Sequence, residues 1–154
     1  MNYLPKNFQL FKYQIQRDNA YLNVLYIYNG KKAIENIDDF LYNPKVIASV
    51  QFYTFNDIDE ATVTSVNVFE EYRGHGYGYY LLMQMAEYLT KINVQTIELQ
   101  DDSDNYRQKN NLYTSLGFEY LADYGPEMFA KVSTILRKSN VEHFQEKWAK
   151  YYVH

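Results

Sequence analysis

Val66-Asn67-Val68-Phe69-Glu70-Glu71-Tyr72-Arg73-Gly74-His75-Gly76-Tyr77-Gly78 runs from an apolar strand pattern, through three polar residues, into a glycine-rich turn that opens a helical pattern. Three glycines within five residues at a helix start are locally costly, about 1 kcal/mol each against alanine if inside the helix. In return they present backbone N–H groups with no Cβ in the way. A diphosphate can approach such a turn and accept hydrogen bonds, helped by the positive end of the helix dipole. A plain strand-to-helix turn that needs positive φ or close packing would also use glycine here. Two other glycine motifs are excluded: the glycines are spaced two and two, not G-x-G-x-x-G, and no Lys-Ser/Thr pair ends the run.

Working outward, Ala61 to Phe69 reads as the strand before the turn. Its apolar positions are odd at first (Ala61, Val63) and then even (Val66, Val68), which predicts one extra residue, a bulge near Thr64-Ser65. Gly76 to Ile92 is predicted as a helix with Leu81, Leu82, Met85, Leu89 and Ile92 on one face. Upstream, strands are predicted at 8–16, 20–28 and 46–55, with a short helix at 31–42 carried by Ile34, Ile37 and Leu41. Downstream, strands are predicted at 94–100, 118–121 and 128–136, and a helix at 105–116 with Gly117 as its cap. Ser139 and Glu142 have capping-box spacing, and Val141, Phe144, Trp148 and Tyr151 follow on one face, predicting a C-terminal helix over 139–152. The order implies one mixed α/β domain over residues 1–154 whose centre is a βαβ crossover.

Composition narrows the function. The chain has 154 residues, 47% of them hydrophobic, enough for a sizeable core. It has no cysteine, which excludes disulfides and thiolate metal sites, and His75, His143 and His154 show no ligand spacing, so no metal is expected. A net charge of −4 argues against nucleic acid as the main partner. No apolar run approaches the ~20 residues that span a bilayer, and the first residues lack a signal peptide's apolar stretch, so no membrane association and a cytoplasmic location are expected. The 18 Tyr and 9 Phe fit either a tyrosine-rich surface or the codon bias of an AT-rich genome.

The segment from Val66 to Gly78 resembles motif A of the GCN5-related N-acetyltransferase (GNAT) superfamily, Arg/Gln-x-x-Gly-x-Gly/Ala, with Arg73, Gly76 and Gly78 at the fixed positions. Asn111-Leu112-Tyr113-Thr114-Ser115-Leu116-Gly117-Phe118-Glu119 resembles the same family's motif B, Leu-Tyr-x-x-x-Gly-Phe. The two motifs occur in order with one helix and one strand between them, and the resemblance covers about Val46 to Leu136. It implies a largely antiparallel central sheet, flanked by helices and splayed open at the cofactor site. It also implies acetyl-coenzyme A as acyl donor, with no metal, and an amine acceptor on a small molecule or protein. The pantetheine arm would lie along Val66, Asn67 and Val68 like an added strand. The diphosphate would rest on the N–H groups of Arg73, Gly74, His75, Gly76, Tyr77 and Gly78, with Arg73 adding charge.

For chemistry, the resemblance implies direct attack in a ternary complex, with Tyr113 as the motif B tyrosine that protonates the leaving sulfur. The family's usual base position holds Thr62, which is no base. Glu60, two residues earlier on the same face, is the nearest substitute; Asp101 and Asp102 are rivals, and water without a dedicated base is another route. The oxyanion donor would be a backbone N–H of Val68. The sequence departs from the family in two places. The cofactor-contacting asparagine seven residues before the tyrosine is replaced by Tyr106, with Asn105 beside it as the candidate contact, and only Arg17-Asp18-Asn19 separates the first two strands, where the family usually has two helices. The Phe144, Trp148 and Tyr151 stripe would dock on the parent sheet or make a homodimer, so monomer and homodimer both stand. A non-catalytic coenzyme A-binding sensor or scaffold is the competing reading; it shares the glycine turn and differs at Tyr113 and the base.

Overall fold

The computed structural model describes residues 4–36, 40, 43–103, 107 and 111–139. Asn105, Tyr106 and the helix expected over 139–152 lie outside the described residues, apart from Ser139, which ends the helix before it.

Seven strands form one sheet: β1 (Gln9–Arg17), β2 (Ala20–Tyr28), β3 (Val46–Phe55), β4 (Glu60–Val68), β5 (Thr96–Gln100), β6 (Glu119–Tyr120) and β7 (Glu127–Lys131). Their order in space is β1-β2-β3-β4-β5-β7-β6. All neighbours are antiparallel except β4 and β5, which run parallel because α1 (Tyr77–Lys91) crosses between them. The β1–β2 hairpin closes on Asp18-Asn19 with Asp18 at φ 54, the left-handed conformation that a two-residue hairpin turn requires. The expected mixed, largely antiparallel sheet is therefore present.

α1 buries most of its surface, packing against β3, β4 and α3. Leu81, Leu82, Met85 and Leu89 face the main core as their spacing predicts, together with Phe52, Ile97, Phe118 and Met128. Ile92 departs from the predicted stripe. The helix stops at Lys91 and Ile92 is exposed. A second core lies on another part of the sheet, where Val24, Tyr26, Ile34, Phe40 and Val46 are buried with Phe11 and Tyr13 against them. Tyr26 and Phe40 meet edge to face at 4.5 Å. Part of the aromatic load is thus structural.

Three predicted elements are corrected. Residues 31–36 are bends and extended chain rather than the first half of a helix; Ile34 still turns inward, because its N–H donates to the buried Tyr26 hydroxyl at 2.7 Å. The remaining residues of that prediction fall mostly outside the described set. The strand expected over 128–136 ends at Lys131, and Val132–Lys138 is helix α3. The β-branched run Val132 to Ile135 suggested a strand, but Val132, Ile135 and Leu136 fit a helical face, and tertiary packing against α1 decides. Of the helix expected over 105–116, the described residues contain α2, Leu112–Ser115, which starts at Asn111, whose ψ of 171 makes it an extended cap that no helix runs through.

Tyr26→Phe leaves the Ile34 N–H without its hydroxyl partner inside the second core. It should destabilise the protein by about 1–3 kcal/mol in urea unfolding at unchanged m-value; a loss below about 0.5 kcal/mol would contradict this anchoring role.

Candidate functional site

β4 and β5 pair only at Glu60–Thr96, Ala61–Ile97 and Thr62–Glu98. Beyond that point the two strands part. The divergence coincides with a bulge: Gln51 of β3 pairs with Ser65 and Phe52 with Val63, so Thr64 has no opposite number. Its hydroxyl instead donates to Gln51 O at 3.3 Å. The bulge lies where the parity change predicted it, and Ala61, Val63, Val66 and Val68 all pack on the same core.

Phe69 N donates to Ile47 O of β3 at 3.1 Å. Backbone direction alternates along a strand, so the groups of Asn67 and Ser65 also point to β3 and those of Val66 and Val68 point away from it, into the gap. Val68 O agrees, because it accepts from Arg73 Nε at 3.1 Å. Asn67 lies between them with an exposed side chain, opposite Ser49. The gap is a cavity of about 260 Å³ bounded by Ser65 and Val66 on one side, Leu99 and Gln100 on the other, and Tyr113.

The turn above the gap uses its glycines in two ways. Gly74 and Gly76 sit at φ 84 and φ 83, with Gly76 as the N-cap of α1. This is the left-handed region that favours glycine. Gly78 is helical, and a Cβ there would lie 3.1 Å from Leu112 Cδ2 and 3.7 Å from Val68 Cγ2, so it serves close packing of α1 on α2 and β4. Arg73 N donates to Glu70 O at 3.2 Å, while among the described residues no backbone carbonyl takes the N–H of Gly74, Gly76 or Gly78. The His75 ring lies 5.7 Å from that of Tyr77, which is buried against Phe8. Burial and then the nearby Tyr72 push the Tyr77 phenol up to about 12.

Tyr113 stands on α2 with its ring edge-on to Phe118 at 6.0 Å. Burial first, then the charges of Asp101 and Asp102, raise its pKa to about 12, so it is a neutral hydrogen-bond donor at any working pH. α2 is too short to persist alone. It is capped by Asn111, whose side-chain oxygen accepts from Thr114 N at 2.8 Å and whose Nδ2 donates to Asp101 Oδ2 at 3.1 Å. The cap follows from a polar residue three before Thr114, a signal readable in sequence; the link to Asp101 is not.

The candidate carboxylates separate. Asp101 is 1% exposed and accepts from Ser103 N, Ser103 Oγ, Asn111 Nδ2 and Tyr120 OH. Burial alone would raise its pKa, but these donors outweigh it and the net shift is downward, which makes Asp101 a poor base. Asp102 is exposed and lines the gap with Tyr113. Glu60 lies at the closed end of the parting strands and lines neither the gap nor the adjoining cavity. Its pKa is raised by burial, by a hydrogen bond with Glu98, and by the charges of Glu98 and Asp59. Glu98 itself faces that adjoining cavity of about 340 Å³, which shares Val63, Thr64, Leu99, Gln100 and Asp102 with the gap. Among the described residues no cluster of three or more His, Asp or Glu could hold a metal, and no helix is long and apolar enough to cross a membrane.

The acetyltransferase (GNAT) family model matches residues 7–118. Among solved structures, a GNAT-family acetyltransferase from Staphylococcus aureus Mu50 is 12% identical, with 72% of this chain and 68% of that one covered, at a TM-score of 0.53. The archaeal Elp3 of Methanocaldococcus infernus is 14% identical, with 83% of this chain but 31% of that one covered, at a TM-score of 0.59. The ribosomal-protein-S18-alanine N-acetyltransferase of Escherichia coli is 24% identical over 76% of this chain and 72% of that one, at a TM-score of 0.49. At these identities the likeness to the first two structures speaks for the fold alone. No curated protein matches significantly.

Because the Glu60 pKa is raised in the folded state, its ionisation works against folding as pH rises through the carboxylate range. Glu60→Gln should therefore raise Tm at pH 7–8, with the gain vanishing below about pH 4. A Tm lowered at every pH would show that the carboxylate is held by favourable contacts instead.

Proposed function

The chain belongs to the GNAT acetyltransferase family, and we propose that it moves an acetyl group from acetyl-coenzyme A to a primary amine by direct attack within a ternary complex. The observation that carries this reading is the gap between β4 and β5: backbone groups of Val66 and Val68 face it, and it opens below a turn whose glycine N–H groups no backbone carbonyl among the described residues takes. An extended amide-bearing arm can pair with Val66 and Val68 as a strand would, while a diphosphate accepts from Gly74, Gly76 and Gly78. Arg73, tied to Val68 O through Nε, keeps its guanidinium charge beside that turn.

The acceptor enters from the cavity beyond the gap, where the charged side chains are Glu98, Asp102 and Glu127. Those charges attract an ammonium group. We assign the first proton from the ammonium to the ionised Glu60–Glu98 pair, received at Glu98 on the cavity wall and then shared between the two carboxyl groups as their hydrogen bond. The neutral amine then forms a C–N bond to the thioester carbonyl, whose oxygen takes negative charge opposite the Val66 N–H, on the gap side nearest the acceptor cavity, rather than the Val68 N–H expected from the sequence, which lies toward the turn. As the C–S bond breaks, the nitrogen gives up its second proton. One of the two protons ends on the coenzyme A sulfur and the other goes to solvent.

Tyr113 lines the gap from the α2 side and donates a hydrogen bond to the departing sulfur. A phenol at about 12 is a weaker acid than a cysteine-type thiol at roughly 8.5. Tyr113 therefore steadies the leaving thiolate through the transition state and retains its own proton once the thiolate is free. This refines the role implied by the motif resemblance, in which the tyrosine hands its proton over.

Calorimetric titration should show acetyl-coenzyme A binding, and thiol release should depend on an added cationic primary amine. Tyr113→Phe should lower kcat about tenfold to a hundredfold with the KM for acetyl-coenzyme A little changed. Binding without acceptor-dependent release from any amine would favour a sensor or scaffold, and an unchanged rate in Tyr113→Phe would remove that hydroxyl from the mechanism.

A further inference from the structure

Asp101 stands one residue past the end of β5, where the strand has already left β4. It is nearly inaccessible, so it cannot meet an acceptor directly. Among the described residues its two oxygens nevertheless collect donors from several parts of the chain, the Arg107 backbone N–H among them. Oδ1 takes Ser103 N at 3.1 Å and the Ser103 hydroxyl, and Oδ2 takes Asn111 Nδ2 at 3.1 Å and Tyr120 OH at 2.6 Å. Its own N–H donates to Pro126 O at 2.8 Å. Tyr120 is held from the other side, since its hydroxyl accepts from Arg107 N at 2.7 Å and its ring lies under the Arg107 guanidinium at 4.3 Å.

The consequence runs through Asn111, which is 2% exposed and tied at both ends. Its amide nitrogen is fixed on Asp101, and its oxygen holds Thr114 N and, at 3.0 Å, the Thr114 hydroxyl. Those contacts set the first turn of α2, and Tyr113 is the second residue of that turn. A four-residue helix has no internal stability with which to resist displacement. We propose that Asp101 is a positioning residue for Tyr113, its carboxylate locking the Asn111 cap so that the phenol points into the gap between β4 and β5.

The residue type follows from the donor count. A carboxylate is acceptor-only and can take all of these donors, whereas a carboxamide offers one oxygen and turns an NH₂ group toward the others. Asp101→Asn should therefore disturb the network with almost no change in size. Asn111→Ser is the complementary variant. Serine still caps α2 but cannot reach back as the amide does, so the link to Asp101 is cut while the helix start is kept.

The proposal rests on the acetyl-transfer reading above for its kinetic arm, and a second arm does not. In the kinetic arm, thiol release is measured for Asp101→Asn, Asn111→Ser, Tyr113→Phe and the Asp101→Asn/Tyr113→Phe double variant. Asp101→Asn should lower kcat about tenfold to a hundredfold, the scale of an ångström-level misplacement, with the KM for acetyl-coenzyme A within about twofold of wild type. In the Tyr113→Phe background the same change should cost less than about twofold, because the group it positions is already gone. An equal loss in both backgrounds, or no loss in wild type, overturns the proposal. In the second arm, protein labelled at the tyrosine ζ-carbon is observed by NMR at neutral pH, with the Tyr113 resonance assigned by its absence from Tyr113→Phe. That resonance should move in both Asp101→Asn and Asn111→Ser. An unmoved resonance overturns the proposal whatever the turnover, and a moved resonance in a protein that acetylates no amine upholds it while removing the acetyl-transfer reading.

Discussion

After Thr62 and Glu98 the pairing of β4 with β5 stops, so a strand in the middle of a seven-stranded sheet carries the unmet hydrogen-bonding demand of an edge. Backbone N–H and C=O groups require partners, and interior strands normally supply them to each other. The bulge at Thr64 is the device that permits the exception. It shifts the apolar face of β4 by one residue, keeping Val66 and Val68 on the core while the strand bends away from β5. The rest of the site follows. The gap ends at the turn that starts α1, α2 reaches it from the far side, and Gly78 lets α1, α2 and β4 meet without a side chain between them.

This arrangement was legible in the sequence to the extent that it is local. The parity change in β4 announced the bulge because strand side chains alternate strictly. The glycine turn announced itself because positive φ at Gly74 and Gly76 and close contact at Gly78 are hard to meet with other residues. Long, strongly patterned elements such as β2, β3 and α1 also declared themselves. Local pattern failed where a short segment takes its shape from what lies across from it. Val132 to Ile135 has strand composition but folds as a helix against α1, and Ile34, whose spacing to Ile37 and Leu41 reads as helical, lies in a non-helical stretch over 31–36 held by the Tyr26 hydroxyl. Both are cases in which tertiary contacts override weak propensity.

The carboxylates show the same limit at the level of chemistry. Glu60, Asp101 and Asp102 look alike in sequence, each an acid near a strand end. In the structure Glu60 adjoins a second carboxylate and is raised, Asp101 is surrounded by donors and is lowered, and Asp102 is exposed at the gap. The partners that divide them are Glu98, Asn111 and Tyr120, which lie 38, 10 and 19 positions away in the chain. No spacing rule connects such residues before the fold is known. Asn105 and the aromatic stripe of the last helix fall outside the described residues, so their expected roles stay as the sequence states them.

The central physical claim is that the edge of β4 and the glycine turn act together as one clamp on an extended arm and its diphosphate. Amide hydrogen exchange resolved by NMR, with and without acetyl-coenzyme A, reads that claim residue by residue. The account predicts that the amides of Val66, Val68, Gly74, Gly76 and Gly78 slow together on binding, while Asn67, already directed at β3, changes little. Saturating acetyl-coenzyme A that leaves those five amides exchanging as in the free protein would contradict it.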